Sequence, residues 1–288
     1  MIAEPNIKGA TIARSLTDLE LARQIAETAG QLLLTLRGSG LWIDQALGKA
    51  GDQLANTFIM AALKSHRPND AILCEEERDD PARLTHERVW IVDPLDGTRE
   101  YGEARADWAV HVALAINGTA ALGAVALPGL GITCTSGDAP IDAKTIGSGH
   151  GRTAATDPPP AAATAGALRM VVSRTRPPPV ASRIAAALGA ELVPMGSAGA
   201  KILAVVRGSA EIYLHAGGQY EWDSCAPVAV AQYAGLHVSR LDGSPLRYNQ
   251  SDAYLPDLLV CSQQLAARVL ELVALGSSPS HEDQPRGR

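Results

Sequence analysis

The sequence is most informative in the stretch Val89-Trp90-Ile91-Val92-Asp93-Pro94-Leu95-Asp96-Gly97-Thr98. Its apolar, largely β-branched start predicts a buried strand, and two aspartates follow at the carboxyl end of that strand. Open α/β sheets bind their ligands at this end. Two carboxylates and a free backbone carbonyl so close together are hard oxygen ligands that suit Mg²⁺. The N–H groups of Gly97 and Thr98 are placed to receive a phosphate.

An acidic turn that caps a helix would explain the same stretch, because Asp, Gly and Thr are common at helix starts. Two distant segments count against that simpler interpretation. Upstream, the short predicted strand 71–74 leads into Glu75-Glu76-Glu77, and downstream Trp222-Asp223-Ser224-Cys225-Ala226-Pro227 opens a long apolar helix. Each segment is ordinary alone. Together they predict carboxylates from two strand ends and one helix start, spread over half of the chain.

This ordered set of motifs resembles the inositol monophosphatase superfamily of Mg²⁺-dependent, lithium-sensitive phosphatases, from about residue 16 to about residue 273. The loop Gly196-Ser197-Ala198-Gly199-Ala200-Lys201 is similar to that of the CysQ-type 3′(2′),5′-bisphosphate nucleotidases. That branch removes the 3′-phosphate from adenosine 3′,5′-bisphosphate in sulfur metabolism. The segments 217–223 and 239–249 resemble the actinobacterial form of the branch in particular.

The resemblance implies a site that holds two Mg²⁺ ions. It leaves open whether a third ion binds. Its implied metal ligands are Glu76, Asp93, Asp96, Asp223 and the carbonyl of Leu95. The implied substrate-binding set consists of Leu95, Asp96, Gly97, Thr98, Ser173, Arg174, Ser197, Lys201 and Asp223. In that set Ser197 is also suited to cap the helix on which Lys201 lies, so both can face one anion near a helix start. A plain cap beside a surface lysine is the alternative.

Asp52 marks the one departure from the family pattern. The family has an upstream Asp-x-x-Thr-x-x-Asp segment, in which an aspartate pairs with the threonine of the main motif. Here Gly51-Asp52-Gln53-Leu54-Ala55-Asn56 keeps Asp52 and lacks the threonine of that segment. A catalytic pair of Asp52 with Thr98 is therefore left open, together with the third metal.

The expected mechanism follows from charge. Carboxylates that converge in a medium of low dielectric repel one another, and two divalent ions would offset that repulsion and clamp a phosphate. The ions would activate a water and stabilise the leaving 3′-oxygen, with Glu76 as general base and Thr98 orienting the water. Phosphatases of the haloacid dehalogenase type use an aspartyl nucleophile, but their two aspartates are two residues apart. Asp93 and Asp96 are three apart, which counts against that chemistry.

The bulk composition fits a globular enzyme. The chain has 288 residues, is 46% hydrophobic and carries a net charge of −6, which disfavours a nucleic-acid polymer or an anionic membrane as partner. No apolar run approaches the ~20 residues that span a bilayer, and no basic, apolar leader follows Met1, so we expect a cytoplasmic protein. The four cysteines form no C-x-x-C pair, which predicts buried, reduced thiols.

Hydrophobic periodicity predicts alternating helices and strands, and therefore an α/β protein. The predicted helices are 16–36, 54–63, 180–188, 198–206, 223–234 and 264–275, and the predicted strands are 71–74, 89–92, 108–116, 120–127, 168–173, 211–215 and 258–261. The resemblance sharpens this to a five-layer α-β-α-β-α sandwich. We expect an α+β half over 1–148, a Pro/Ala/Gly-rich flexible loop over 149–167, an α/β half over 168–275 and a disordered tail over 276–288.

Three functions compete at this point. The first is hydrolysis of the 3′-phosphate of adenosine 3′,5′-bisphosphate, or of its phosphosulfate analogue. The second is a phosphatase of the same fold that acts on inositol 1-phosphate or fructose 1,6-bisphosphate. The third is a non-catalytic, metal-dependent ligand-binding protein, which the complete carboxylate set disfavours. The expected partner is a small phosphorylated molecule, and a homodimer is left open.

Overall fold

The computed structural model describes residues 16–138 and 167–277, which contain two five-stranded sheets. The strands of the first sheet are β1 (Ala71–Cys74), β2 (Arg88–Asp96), β3 (Ala109–Ile116), β4 (Thr119–Leu127) and β5 (Ile132–Thr135), in that spatial order. β1 pairs with β2 in parallel, and every later pairing is antiparallel. This sheet comes entirely from the N-terminal part of the chain.

The second sheet comes from the C-terminal part. Its strands are β6 (Arg169–Ser173), β7 (Glu191–Met195), β8 (Ile212–Tyr220), β9 (His237–Ser239) and β10 (Tyr254–Cys261). Their spatial order is β7-β6-β8-β10-β9. β6 pairs in parallel with β7 and with β8, while β10 is antiparallel to both of its neighbours. The sheet is therefore mixed.

The described residues contain seven helices. They are α1 (Asp18–Gly38), α2 (Asp44–His66), α3 (Thr98–Gly102), α4 (Pro179–Leu188), α5 (Ala198–Val206), α6 (Glu221–Tyr233) and α7 (Gln263–Ser277). All but the short α3 form the other three layers. α1 and α2 pack on the outer face of the first sheet, α5 and α6 lie between the sheets, and α4 and α7 cover the second sheet. The predicted five-layer α-β-α-β-α sandwich is confirmed.

The apolar core repeats this layering. One cluster of buried side chains joins α1 and α2 to the first sheet, a second fills the space around α5 and α6, and a third lies under α4 and α7. α6 is buried almost all round because it has a sheet on each side. Its first turn consequently lies deep in the molecule, where it can meet the carboxyl end of β2.

Several element boundaries differ from the predicted ones. α2 begins at Asp44 although the periodicity predicted residue 54, because glycines weaken the helical signal in its first turns. β2 continues through Pro94 to Asp96, and β10 begins at Tyr254, before its own proline. The short strands β5, β7 and β9 were not predicted, since few or no fully buried apolar residues mark them.

Two predicted segments fall wholly or largely outside the described residues, namely the flexible loop over 149–167 and the tail over 276–288. All four cysteines lie within the described residues and are buried, with free thiols. Across residues 16–138 and 167–277, every helix is too short or too polar to cross a membrane.

Candidate metal and phosphate site

The carboxyl end of β2 supplies two buried carboxylates. Its register with β3 shifts between Asp93 and Asp96, where Pro94 removes a backbone donor. Asp93 is 1% exposed and Asp96 is 7% exposed. The Leu95 N–H donates to the Asp93 Oδ1 at 3.0 Å, which fixes the turn between them. The strand end therefore presents both side chains to one interior point.

Glu75 joins Asp93 through the parallel pairing of β1 with β2. The register ends with Cys74 opposite Val92, and the Glu75 N–H extends it by donating to the Val92 carbonyl at 3.3 Å. Glu75 thus comes to lie beside Asp93, close enough for each carboxyl group to shift the pKa of the other. Burial, then the charges of Asp96 and Glu76, raises the pKa of Glu75 to about 7.

Glu76 had been expected to bind metal and act as general base, but the structure places Glu75 beside Asp93. The Glu76 carboxylate lies close enough to Asp52 to help raise the pKa of that residue. Two adjacent residues at a strand end point in different directions, so only one of them can lie beside Asp93. The geometry therefore favours Glu75 over Glu76 as a ligand.

Asp223 reaches the same point from the first turn of α6. Its Oδ2 accepts the Tyr220 N–H at 2.6 Å, so the carboxylate caps the helix start. Burial, followed by the charge of Asp96, raises the pKa of Asp223 to about 8. Burial also raises the pKa of Asp93 well above its ordinary value, with Glu75, Asp96 and Asp223 adding to the effect.

These carboxylates fit a divalent cation. Asp93 and Asp96 are buried, Asp223 is half-buried and Glu75 is exposed. Their charges repel one another, and a bound cation would favour their charged forms. Ligand atoms of Asp93, Asp96 and His111 lie within 4.8 Å of one another. Carboxylates and the Leu95 carbonyl are hard oxygen donors, the type that Mg²⁺ and similar ions prefer.

His111 is a member of the cluster that the sequence analysis did not identify. It is fully buried on β3, where its Nδ1 donates to the Trp222 carbonyl at 3.1 Å and its Nε2 lies 3.3 Å from the Asp96 Oδ2. The Gly199 N–H donates to the same oxygen at 2.7 Å. Asp96 is therefore held to α5 by a hydrogen bond, and His111 lies beside it with no hydrogen-bond partner for its Nε2 among the described residues.

Asp52 pairs with Thr98 despite the missing upstream threonine. The Thr98 hydroxyl lies 3.2 Å from the Asp52 Oδ1 and 3.1 Å from the Leu95 carbonyl. α2 can approach this closely because a Cβ at Gly48 would lie only 2.8 Å from the Thr98 Cγ2. Burial, then the charges of Glu76 and Glu75, raises the pKa of Asp52 to about 7.

Gly97 and Thr98 begin α3 next to the carboxylates. Gly97 has φ +89°, and a Cβ there would lie 3.1 Å from the Ser197 Cβ, so both the backbone and the space require glycine. This close approach brings the loop before α5 against the phosphate-binding candidates. The two halves of the chain thus meet at Gly97.

A cavity of about 420 Å³ extends from this meeting point. One end contains Asp96, Gly97 and Asp223 from the carboxylate cluster. The remaining walls include Ser173, Thr175, Arg176, Ser197, Lys201, Tyr213, His215 and Gln219. Arg99 and Glu100 also line it. The cavity therefore joins a carboxylate cluster to three cationic side chains.

Lys201 and Ser197 both line this cavity, but the Ser197 hydroxyl does not bond the Lys201 ammonium. Ser197 caps α5 by accepting the Ala200 N–H at 2.8 Å. Lys201 is 4% exposed. Its ammonium donates to the Gly196 carbonyl and, at 2.9 Å, to the Ser197 carbonyl. None of the ion pairs among the described residues includes Lys201. The ammonium also lies 5.5 Å from the centre of the Tyr213 ring. Its third N–H makes no hydrogen bond among the described residues and can bond a ligand.

Arg174 does not line the cavity, although it was predicted to contact substrate. Its guanidinium bridges Glu100 at 3.1 Å and Asp107 at 2.6 Å. Asp107 also accepts the Gly196 N–H, so this network holds the loop that precedes α5. Arg176, two residues later, lines the cavity instead. Ser173 is retained at the wall, where its hydroxyl accepts the Arg176 N–H at 3.2 Å.

The aromatic side chains near Asp223 stack on each other. The rings of Tyr220 and Trp222 lie 4.8 Å apart and nearly parallel. Trp222 is half-buried and Tyr220 is 43% exposed, and neither ring lines the cavity.

Comparisons with known proteins agree with this geometry. The chain is 48% identical over 269 residues to the 3′-phosphoadenosine 5′-phosphate phosphatase of Mycobacterium leprae, covering 90% of this chain and 94% of that protein. It is 29% identical over 209 residues to the 3′(2′),5′-bisphosphate nucleotidase CysQ of Escherichia coli K12, covering 72% and 81% of the two chains.

A solved structure shows the same arrangement of layers. CysQ from Bacteroides thetaiotaomicron, described as a bacterial member of the inositol monophosphatase family, superposes with a TM-score of 0.67 at 25% identity. The match covers 88% of this chain and 99% of that one. The sequence profile of the inositol monophosphatase family matches residues 17–275. The carboxylates at the end of β2 and the start of α6 lie inside that match, and the chain belongs to the inositol monophosphatase family.

Proposed function

We propose that this protein is a phosphatase that hydrolyses the 3′-phosphate of adenosine 3′,5′-bisphosphate to give AMP, with two Mg²⁺ ions bound. One observation carries the proposal: a single cavity joins a carboxylate cluster to a buried ammonium, Lys201, that has no carboxylate partner among the described residues. The first feature suits a phosphate held through metal ions, and the second suits another anionic group on the same molecule.

Glu75, Asp93, Asp96, Asp223 and the Leu95 carbonyl are the residues that would hold the ions. Divalent ions bound there would neutralise the phosphate, lower the pKa of an attacking water and stabilise charge on the leaving oxygen. Without that positive charge the same carboxylates would repel a phosphate dianion. The acidic cluster is thus a reason to expect metal dependence.

The protein's own groups would orient the attacking water. When the Thr98 hydroxyl donates its proton to Asp52, a lone pair on its oxygen is left to accept a hydrogen bond from water. Glu75 lies on the Asp93 side of the site and is placed to take the proton of that water, the role first expected of Glu76. Gly97 and Thr98 would direct backbone N–H groups at the phosphate.

The second anionic group would lie against the part of the cavity wall that carries Lys201, Ser197 and Arg176. Lys201 offers one N–H, Ser197 lies beside it, and Arg176 comes from the loop after β6. A 5′-phosphate fits this wall, and so does the 5′-phosphosulfate of the related nucleotide. We therefore propose both bisphosphate and phosphosulfate nucleotides as substrates, and place the reaction in sulfur metabolism and in the cytoplasm.

Phosphate release from a substrate panel tests this proposal. With saturating Mg²⁺, adenosine 3′,5′-bisphosphate should have a higher kcat/KM than inositol 1-phosphate, fructose 1,6-bisphosphate or AMP. An Asp93→Asn variant, purified in parallel, controls for contaminating phosphatases. If inositol 1-phosphate is the best substrate, the second candidate function replaces the first. If no phosphate is released from any substrate, the protein binds its ligand without catalysis.

A further inference from the structure

Gln219 carries a buried hydrogen-bond acceptor that has no role in the proposed mechanism. It lies near the end of β8, is 5% exposed and lines the cavity. Its Nε2 donates to the Tyr213 hydroxyl at 2.8 Å, which orients the amide. The Gln219 Oε1 on the other side has no hydrogen-bond partner among the described residues. A buried acceptor left unpaired is destabilising, so this oxygen is suited to a ligand that donates a hydrogen bond.

The position of Gln219 limits which part of a substrate can reach it. A bulge at Gly217 and Gly218, both with positive φ, turns the strand just before it. Gln219 lies four residues before Asp223, and its partner Tyr213 lies close enough to Asp96 and Asp223 to experience their charges. A sugar ring whose phosphate is bound at the carboxylates would therefore place the groups next to its phosphorylated carbon near Gln219. The base of a nucleotide would lie farther away.

We propose that Gln219 is a specificity-determining residue that accepts a hydrogen bond from the hydroxyl next to the phosphorylated carbon. This inference rests on the proposed function, and for a nucleoside 3′-phosphate the group is the 2′-hydroxyl of the ribose. The substrate class is thereby narrowed to phosphate monoesters with a free neighbouring hydroxyl. A 2′-deoxyribose leaves the Gln219 oxygen unpaired, and a site built to bind a hydroxyl discriminates against such an analogue.

Tyr213 anchors the Gln219 amide. Its hydroxyl is fully buried and accepts a hydrogen bond from the Gln219 Nε2 at 2.8 Å, so the end of the side chain is held in place. A side chain held in this way meets the substrate without losing further rotamer freedom. Tyr213 is thus a positioning residue, and Gln219 is the group that contacts the substrate.

The test compares adenosine 3′,5′-bisphosphate with its 2′-deoxy analogue at saturating Mg²⁺. We expect wild-type kcat/KM to be higher for the ribonucleotide by about five- to tenfold, the effect of one neutral hydrogen bond to a buried acceptor. Gln219→Met keeps the length of the side chain and removes the acceptor. This substitution should lower kcat/KM for the ribonucleotide more than it lowers kcat/KM for the deoxy analogue, by the same five- to tenfold factor. Gln232→Met, an exposed change on α6, is the matched control and should keep the wild-type ratio.

Tyr213→Phe provides a second variant in case Gln219→Met does not fold, as judged by its melting temperature. Loss of the orienting bond should reduce the ribose preference without abolishing it. A wild-type kcat/KM ratio within twofold of one would overturn the inference and leave the proposed function intact. Equal losses on both substrates in Gln219→Met would also overturn it. Failure of the wild type to release phosphate from adenosine 3′,5′-bisphosphate would instead overturn the proposed function.

Discussion

Lys201 provides the sharpest test of substrate choice. We consider Lys201→Met, which keeps the apolar part of the side chain and removes the ammonium. The ammonium is buried, bonded to the Gly196 and Ser197 carbonyls, and free of any ion pair among the described residues. The charges of Asp96 and Glu100 act on this ammonium from beyond ion-pair distance, so its remaining N–H is left to bond a bound anion.

The expected magnitude follows from that geometry. A hydrogen bond to a charged group contributes about 1.5–3 kcal/mol, which corresponds to a loss of about tenfold to a hundredfold in kcat/KM. The contact lies away from the reacting phosphate, so part of the loss should appear in KM. The two carbonyls also lose their donor, and a fall in melting temperature is expected alongside.

The assay uses adenosine 3′,5′-bisphosphate and adenosine 3′-monophosphate, which lacks the second phosphate. Lys201→Met should lose activity on the bisphosphate and be affected much less on the monophosphate. Lys64→Met, an exposed change near the end of α2, is the matched control for the loss of one positive charge. Equal losses on the two substrates would refute the reasoning, because Lys201 would then act through the fold or the metal site.

Four further predictions concern the metal site. Asp96→Asn should abolish phosphate release and raise the urea midpoint of the metal-free protein, because one repelling charge is removed. Thr98→Val should lower kcat by about tenfold to a hundredfold with little change in KM, as measured by steady-state kinetics, because the hydroxyl orients the attacking water. The raised pKa values of Asp223 (about 8), Glu75 and Asp52 (about 7) mean that the folded protein holds protons the unfolded chain has released. The free energy of unfolding in EDTA should therefore fall from about pH 5 to about pH 8, as measured by urea denaturation, and added Mg²⁺ should reverse the trend. Lithium should inhibit phosphate release, and Ca²⁺ should replace Mg²⁺ poorly because it prefers longer and more numerous oxygen contacts.

The carboxylates on regular elements were predictable from sequence. Asp93 and Asp96 follow a strongly apolar strand, and Asp223 opens an apolar helix, so periodicity alone places them at element ends. The convergence of these ends was implied by the family resemblance, because no local pattern states which strand end faces which helix. The five-layer fold was likewise implied by the family resemblance, while periodicity alone predicted only an α/β protein.

The placement of Glu75 beside Asp93 was not predictable, because it depends on the register of β1 against β2. A shift of one residue in a strand exchanges the side chains on its two faces. Only the observed pairing of Cys74 with Val92 carries Glu75 to Asp93. The same limit explains the exchange of Arg174 for Arg176, since ion pairs with distant carboxylates occupy the first of them.

No motif predicted a role for His111 or Gln219. His111 belongs to no motif, and the resemblance of the segment 217–223 implies no role for Gln219. The contact of each is with a residue far along the chain or on the far side of a bulge, His111 with Asp96 and Gln219 with Tyr213. Which residues pack against the face of β3 that carries His111 is tertiary information.

The central claim is that one cavity holds divalent ions at its acidic end and the second anion of a nucleotide at Lys201. Crystals grown with Mn²⁺, AMP and phosphate would test it directly through anomalous scattering. We predict anomalous peaks bound by Glu75, Asp93, Asp96 and Asp223, with the AMP phosphate against Lys201. Peaks absent from these carboxylates, or AMP bound outside the cavity, would contradict the account.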